Sequence, residues 1–501
     1  MASNVQNSAD EANGQTKTTP WHGLGAAEFD LRSDTMTKPT LSMLEAITHT
    51  TLLDDVFGED PTTNSLQDYV AQRTGHESGL LVMSGTMGNQ VAIRTHLTQP
   101  PYSILCDHRS HIIQYEAGGV SMWTGATVYG VVPKNGRYLT LEDLQAKFVP
   151  GTNIHYCPTK LISLENTLDG MVMPLSETRR IVEWAHANNI KVHLDGARLW
   201  EAVVSGAGSL SDYASLFDSV SLCFSKGLGA PIGSIIVGSK EFIDRARWFR
   251  KSIGGGTRQA GIISAAARVA VEETFGPDPN GQGGKLKNTH VKAKEVAEMW
   301  TSRGGKLTYP VETNMVWLDL EAAGLGPNDL AEIGKEKGLQ LLGGRLVIHY
   351  HLEDRIKMCT RIQGTDIHPW NVPAVRQIRQ GAPSLGSGTA SADSHGPVDV
   401  DAWGRFASQH KTGPLHQDSS PCRFSDDGPA RQPRATTSYS GAGASSSAPR
   451  TKSSRSCLDG WQGSLADDPC GEYTKVIVDS RAMNVPSWDR FLAVDQAFTR
   501  Q

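Results

Sequence analysis

Short apolar runs alternate with helix-spaced patterns through residues 29–350. Residues 161–164 form a strand-like run. The segment 176–189 then places apolar side chains at Ile181, Trp184 and Ala185, the spacing of one helical face. Pro174 and Ser176 supply start signals for that helix, and Asn188-Asn189 suit its end. Residues 190–194, 219–224 and 234–237 read as further strands, and 80–83 as a strand running into a helix that begins near Thr86. Strands alternating with helices predict an α/β fold, a mostly parallel sheet covered on both faces. Ligands of such sheets bind beyond the C-terminal strand ends. Ser84-Gly85-Thr86, Asp195 and Lys226 each fall just past a strand end and are expected to converge.

The texture changes outside this region. Residues 1–28 read as a disordered arm, and residues 361–501 as a low-complexity tail without the apolar density for a core. The 501 residues otherwise suit a large domain over 29–275 and a small C-terminal domain over 276–360. Positive and negative charges are interspersed and sum to −5, which points away from nucleic acid and anionic membranes as partners. No apolar run has the length of a membrane span, and Met1 to Pro20 lacks a signal-peptide core, so a cytoplasmic address is expected. Seven scattered cysteines with no Cys-x-x-Cys argue against a disulfide framework or a zinc site, and no metal ligand set is evident.

Several positions carry chemistry. Lys226 lies between an apolar strand and the turn Gly227-Leu228-Gly229, where desolvation favours the free amine that a Schiff base needs; an ordinary loop lysine is the plain alternative. Asp195 can pair with a protonated pyridine nitrogen, with Arg198 nearby for a ring oxygen or a substrate carboxylate; equally it can be a helix-capping aspartate beside an exposed arginine. Gly85 and Thr86 open a helix whose free N–H groups suit a phosphate. His111 can stack on a ring or act as a base, and Glu116 can handle protons or simply face water. Lys251 and Arg258 flank Gly254-Gly255-Gly256 in a basic loop that can clamp a phosphate or merely connect. Arg345 offers a planar fork for a carboxylate.

Seven motifs in order resemble the low-specificity L-threonine aldolases, pyridoxal-phosphate (PLP) enzymes of the aspartate-aminotransferase type I fold. They are Asp30-Leu31-Arg32-Ser33-Asp34-Thr35-Met36-Thr37, Asp54-Asp55-Val56-Phe57-Gly58-Glu59-Asp60-Pro61, Ser84-Gly85-Thr86-Met87-Gly88-Asn89, Leu164-Glu165-Asn166-Thr167, His193-Leu194-Asp195-Gly196-Ala197-Arg198, Ser225-Lys226-Gly227-Leu228-Gly229 and Arg345-Leu346-Val347-Ile348-His349. The resemblance implies that Lys226 carries PLP, Asp195 pairs with the pyridine nitrogen and Arg198 lies near the ring oxygen. Gly85 and Thr86 would hold the phosphate, His111 would stack on the ring, and Ser33 and Arg345 would hold the substrate carboxylate. Lys251 and Arg258 would reach the phosphate of a neighbouring subunit in a homotetramer with shared active sites. The implied reaction splits L-threonine or L-allo-threonine into glycine and acetaldehyde. His111, a held water and the cofactor phosphate are the candidate bases.

The sequence also departs from the pattern. Leu168 stands where many relatives have a histidine, and the text changes character after about Tyr350. The strand and helix that normally close the small domain are therefore expected to be missing, through either a gene-model artefact or a genuine extension. The same hardware also serves β-elimination or racemisation of small amino acids. A non-enzymatic reading is a truncated paralogue acting through its tail.

Overall fold

Seven strands build the main sheet: β1 Ser78–Val82, β2 Ser103–Asp107, β3 Thr127–Val131, β4 Thr159–Glu165, β5 Lys191–Asp195, β6 Ser219–Cys223 and β7 Ser234–Gly238. Their spatial order is β1-β7-β6-β5-β4-β2-β3. The pairs from β6 to β3 are parallel, and β7 runs antiparallel between β1 and β6. In this computed structural model, residues 21–23 and 25–352 are described. Strands β2, β6 and β7 are buried along their whole length, as a sheet covered on both faces requires. Helix Gly85–His96 packs over β5, β6 and β7, while helix Pro61–Thr74 packs against β1 and β7. The predicted helix over 176–189 is Leu175–Ala187, and each predicted strand lies within two residues of its observed ends.

A second cluster joins Leu31, Ala293, Val296, Val316, Leu318, Leu346 and Ile348. It surrounds the antiparallel pair β8 Met315–Trp317 and β9 Arg345–Val347, with helix Leu286–Thr301 contributing one face. The N-terminal segment is woven into it: Leu31 N–H donates to the Gln340 carbonyl at 3.0 Å, and Val347 N–H to the Leu31 carbonyl at 2.8 Å. The arm expected over 1–28 ends sooner than the composition suggests. Gly25–Phe29 is a 3₁₀ turn that buries Ala27 against the body. Tyr350, His351 and Leu352 are buried too, so packing continues past the change in texture near Tyr350. Residues 1–20 of the arm, 353–360 of the small domain and the tail 361–501 lie outside the described residues. Among the described residues, no helix is long and apolar enough to cross a membrane.

The end of helix Lys240–Ser252 and the loop after it are held by a buried ion pair between Arg250 and Asp55. Arg250 Nη2 lies 2.7 Å from Asp55 Oδ2, its Nη1 donates to the Leu81 carbonyl at 2.8 Å, and Thr257 Oγ1 adds a bond to Asp55 at 3.2 Å. Removing one member of such a pair leaves an uncompensated charge in the interior. Arg250→Met should therefore cost about 3–5 kcal/mol in denaturant unfolding. A loss below about 1 kcal/mol would show that the pair does not anchor this loop.

Candidate active site

Strand β5 ends in Asp195, which is 5% exposed. Its Oδ1 accepts the Ala197 N–H at 3.0 Å and its Oδ2 accepts from Asn89 Nδ2 at 2.7 Å. The local turn makes the first bond, but the helix that follows, Leu199–Val204, is capped at Arg198, so Asp195 is not the helix-capping aspartate of the plain reading. The second comes from helix Gly85–His96 and gives the carboxylate a partner 106 residues away in the chain. Parallel pairing sets Glu165, the last residue of β4, directly opposite Asp195. Burial first, and the Asp195 charge second, push the Glu165 carboxyl well above the usual carboxylate range.

Lys226 lies three residues beyond the end of β6 and is half-buried, so its expected desolvation is partial. Its carbonyl accepts from Thr37 Oγ1 at 2.7 Å and from the Gly229 N–H at 3.0 Å. Gly229 has φ +86°, and a side chain there would overlap the Tyr350 hydroxyl, so only glycine closes this turn. Among the described residues, the Lys226 amine has no hydrogen-bond or ion-pair partner, while its charge reaches Glu165 and Asp34.

Arg198 is not the exposed arginine of the plain reading. Its Nε and Nη2 grip Asp34 Oδ2 and Oδ1 at 2.8 and 2.7 Å, with the Asp34 side chain fully buried. Burial alone would raise the Asp34 carboxyl. The Arg198 guanidinium, aided by Lys226 and His349, overrides it and holds the group down to about 2. Two donors of Arg198 are thus committed to Asp34, which narrows what it can offer a ring oxygen or a substrate.

Glu116 is 3% exposed, which excludes a solvated glutamate. Its Oε1 lies 2.9 Å from His111 Nδ1 and accepts from Asn89 Nδ2 at 2.8 Å. A buried carboxylate accepts, so His111 carries a proton on Nδ1 and leaves Nε2 free. The His111 backbone N–H donates to Glu165 Oε2 at 2.9 Å. His111, Glu116 and Asp195 offer ligand atoms within 4.8 Å of one another, a spacing that would suit a cation. The Asn89 amide, however, already places a hydrogen on each carboxylate.

Helix Gly85–His96 opens with Ser84 as its cap, whose Oγ accepts the Met87 N–H at 3.1 Å. The N–H groups of Gly85 and Thr86 have no acceptor inside the helix. Ser234 Oγ, buried and without a partner among the described residues, lies 3.9 Å from where a Cβ on Gly85 would sit. Ser33 caps the turn Asp34–Met36, and Arg345 Nη2 donates to the neighbouring Arg32 carbonyl at 3.0 Å, so the expected carboxylate pair is adjacent. Asp169 stands near both Arg109 and Arg345. Burial pushes its carboxyl up against their pull.

Lys251 and Arg258 are not brought to this cluster. Arg258 is exposed and pairs with Asp54 at 2.6 Å, and no contact among the described residues joins either side chain to Lys226, Asp195 or Arg198. The residues that sequence reasoning left without roles are Asp34, Asn89, Glu165, His193 and Asp169. The first four lie inside the quoted motifs, beside residues that were singled out. Leu168 is buried, so that position offers no base.

The residues present fit PLP. A free amine, a buried carboxylate, unpaired helix N–H groups and an orphaned buried hydroxyl gather at one end of the central strands. Fold and site together define a PLP enzyme of the aspartate-aminotransferase type. The chain belongs to the beta-eliminating lyase family, whose model matches residues 30–323. It is 58% identical over 343 residues to Aldolase vrtJ of Penicillium aethiopicum, spanning 68% of this chain and 87% of that protein. It is 47% identical over 333 residues to Alanine racemase TOXG of Cochliobolus carbonum, spanning 66% and 86%. Against the low specificity L-threonine aldolase of Saccharomyces cerevisiae it is 46% identical over 327 residues, spanning 65% and 83%. The fold matches Leishmania major threonine aldolase with TM-score 0.57 at 18% identity, over 67% of this chain and 99% of that one.

The Asp34 carboxyl has a pH signature. Its folded value of about 2 is depressed from the unfolded value of about 4, so its contribution is present above about pH 4 and is lost as pH falls towards 2. Asp34→Asn should cost about 3 kcal/mol at neutral pH by stranding Arg198. Its stability should also fall less steeply than the wild type's between about pH 4 and 2. Identical acid limbs in denaturant melts would show that Asp34 is not ionised in the fold.

Proposed function

We propose that the chain is a carbon–carbon lyase that splits L-threonine and L-allo-threonine between Cα and Cβ, yielding glycine and acetaldehyde. The observation that carries this reading is the convergence of Lys226, Asp195, Glu165 and Arg198 at the C-terminal strand ends, with His111 held by Glu116 beside them. PLP, when bound, supplies a sink for the electron pair left at Cα. Lys226 would carry it, Asp195 would sit against the ring nitrogen, and Gly85, Thr86 and Ser234 would hold the phosphate. Ser33 and Arg345 would grip the substrate carboxylate and orient the Cα–Cβ bond. His111 Nε2 would accept the β-hydroxyl proton, since Nδ1 is engaged by Glu116. One proton leaves the hydroxyl and one is taken up at Cα, so the cleavage balances without an oxidant.

The reading extends to a homotetramer with shared sites. The exposed apolar side chains Leu52, Leu53, Phe57 and Trp248 lie in the regions that present Lys251 and Arg258, and they support burial against a second copy. A cytoplasmic address and a place in threonine breakdown and glycine formation belong to the same proposal. The free Cys106, Cys157 and Cys223 suit a reducing compartment. The alanine racemase relative keeps a second reading in view, proton exchange at Cα without C–C cleavage.

The protein supplied with PLP should show a visible absorbance band and release acetaldehyde from L-threonine. Lys226→Ala should lose the band and slow release by more than about a thousandfold. A colourless wild type would sink the proposal. Ammonia and a keto acid would point to elimination, and exchange of the alanine α-proton with no acetaldehyde would point to racemisation. Arg345→Lys should raise the KM for threonine by about tenfold with a smaller change in kcat, because lysine cannot reproduce the planar fork.

A further inference from the structure

Asn89 is 1% exposed and its side chain meets three polar groups. Its Nδ2 lies 2.8 Å from Glu116 Oε1 and 2.7 Å from Asp195 Oδ2, and its Oδ1 lies 3.2 Å from His193 Nε2. Ionised carboxylates only accept, so both amide hydrogens are assigned and the amide has one orientation. His193 must then carry its proton on Nε2, which leaves Nδ1 to accept from Ser219 Oγ at 2.8 Å. The Ser219 oxygen accepts in turn from His96 Nε2 at 2.7 Å. The result is a one-way chain of donors from His96 through Ser219, His193 and Asn89, ending on two carboxylates. Burial holds His193 down to about 4 and His96 down to about 3, so at neutral pH the chain consists of dipoles rather than charges.

The surroundings show why this matters. Asp195 faces Glu165 from β4, a second acid, and the Lys226 and Arg198 charges bear on Glu165. Arg198 spends two donors on Asp34. Asp195 therefore holds one backbone N–H, from Ala197, and one side-chain donor, from Asn89. The second hydrogen of the same amide goes to Glu116, which fixes the His111 tautomer.

We infer that Asn89 is a positioning residue that couples the acid under the cofactor ring nitrogen to the histidine beside the ring, backed by His193. Asn89 gives Asp195 a side-chain donor that aims it, and through Glu116 it keeps His111 Nε2 free. The inference rests on the reading that PLP binds at Lys226.

The test uses full-length holoenzyme and two readouts that do not depend on turnover: the pH titration of the cofactor absorbance, and the Kd for PLP on reconstituting apoenzyme. Asn89→Leu should move the titration midpoint by about one pH unit or more. It should also weaken PLP binding by about tenfold. His193→Leu should move the midpoint in the same direction by less. His193→Gln, which keeps a donor towards Asn89, should restore the wild-type midpoint. A merely structural asparagine would lower Tm and leave the midpoint and Kd unmoved, and that result overturns the inference. Should Asn89→Leu fail to fold, the His193 pair decides, and a wild-type midpoint in His193→Leu overturns it. A colourless wild type would remove the cofactor reading and the inference together, whereas a coloured wild type with unmoved variants removes the inference alone.

Discussion

Burying a carboxylate at a strand end is the constraint around which this site is organised. Asp195 is almost out of water and stands in register with another acid, Glu165. Two like charges so placed disfavour one another, and without donors the interior would drive both towards the neutral form. The protein divides the problem. Asp195 receives a backbone N–H and the Asn89 amide, while Glu165 is pushed towards its protonated form. Two acids whose surroundings differ in this way let one pocket hold two roles.

The same logic runs through the rest of the site. Arg198 and Asp34 neutralise each other in a bidentate pair, so the second buried acid at this site also has its charge matched. Glu116 is matched by His111 and Asn89. Lys226 is then left as the amine without a partner among these groups, open to a carbonyl.

The surroundings of Ser33 and Arg345 depend on a different element. Ser33, Asp34 and Thr37 come from an N-terminal segment that hydrogen-bonds into the edge of β9, the strand that begins with Arg345. Thr37 also holds the Lys226 carbonyl, and Tyr350 closes over Gly229 while donating to the Lys38 carbonyl. Segments more than 300 residues apart thus fix the turn that carries the lysine. Their packing explains why buried structure continues through Leu352, past the point where the composition changes.

Periodicity was enough to locate the strands 190–194 and 219–224 and the helix between β4 and β5, because a two-residue and a 3.6-residue repeat leave different marks on a linear chain. It also placed Asp195, Lys226 and Gly85 at or just beyond strand ends, where the sheet itself dictates that ligands go. Composition placed the end of the N-terminal arm too late, because burial of a small residue such as Ala27 depends on a partner surface and leaves no local mark. The partners of Asp195, Arg198 and His111 were equally illegible. Asn89, Asp34 and Glu116 are ordinary polar letters until strand register and helix docking bring them within 3 Å of their charges. The sequence by itself determined which elements form and which residues carry reactive groups. Only the tertiary structure decided which charges are matched and which amine is left free, because electrostatic pairing depends on distances between segments far apart in the chain.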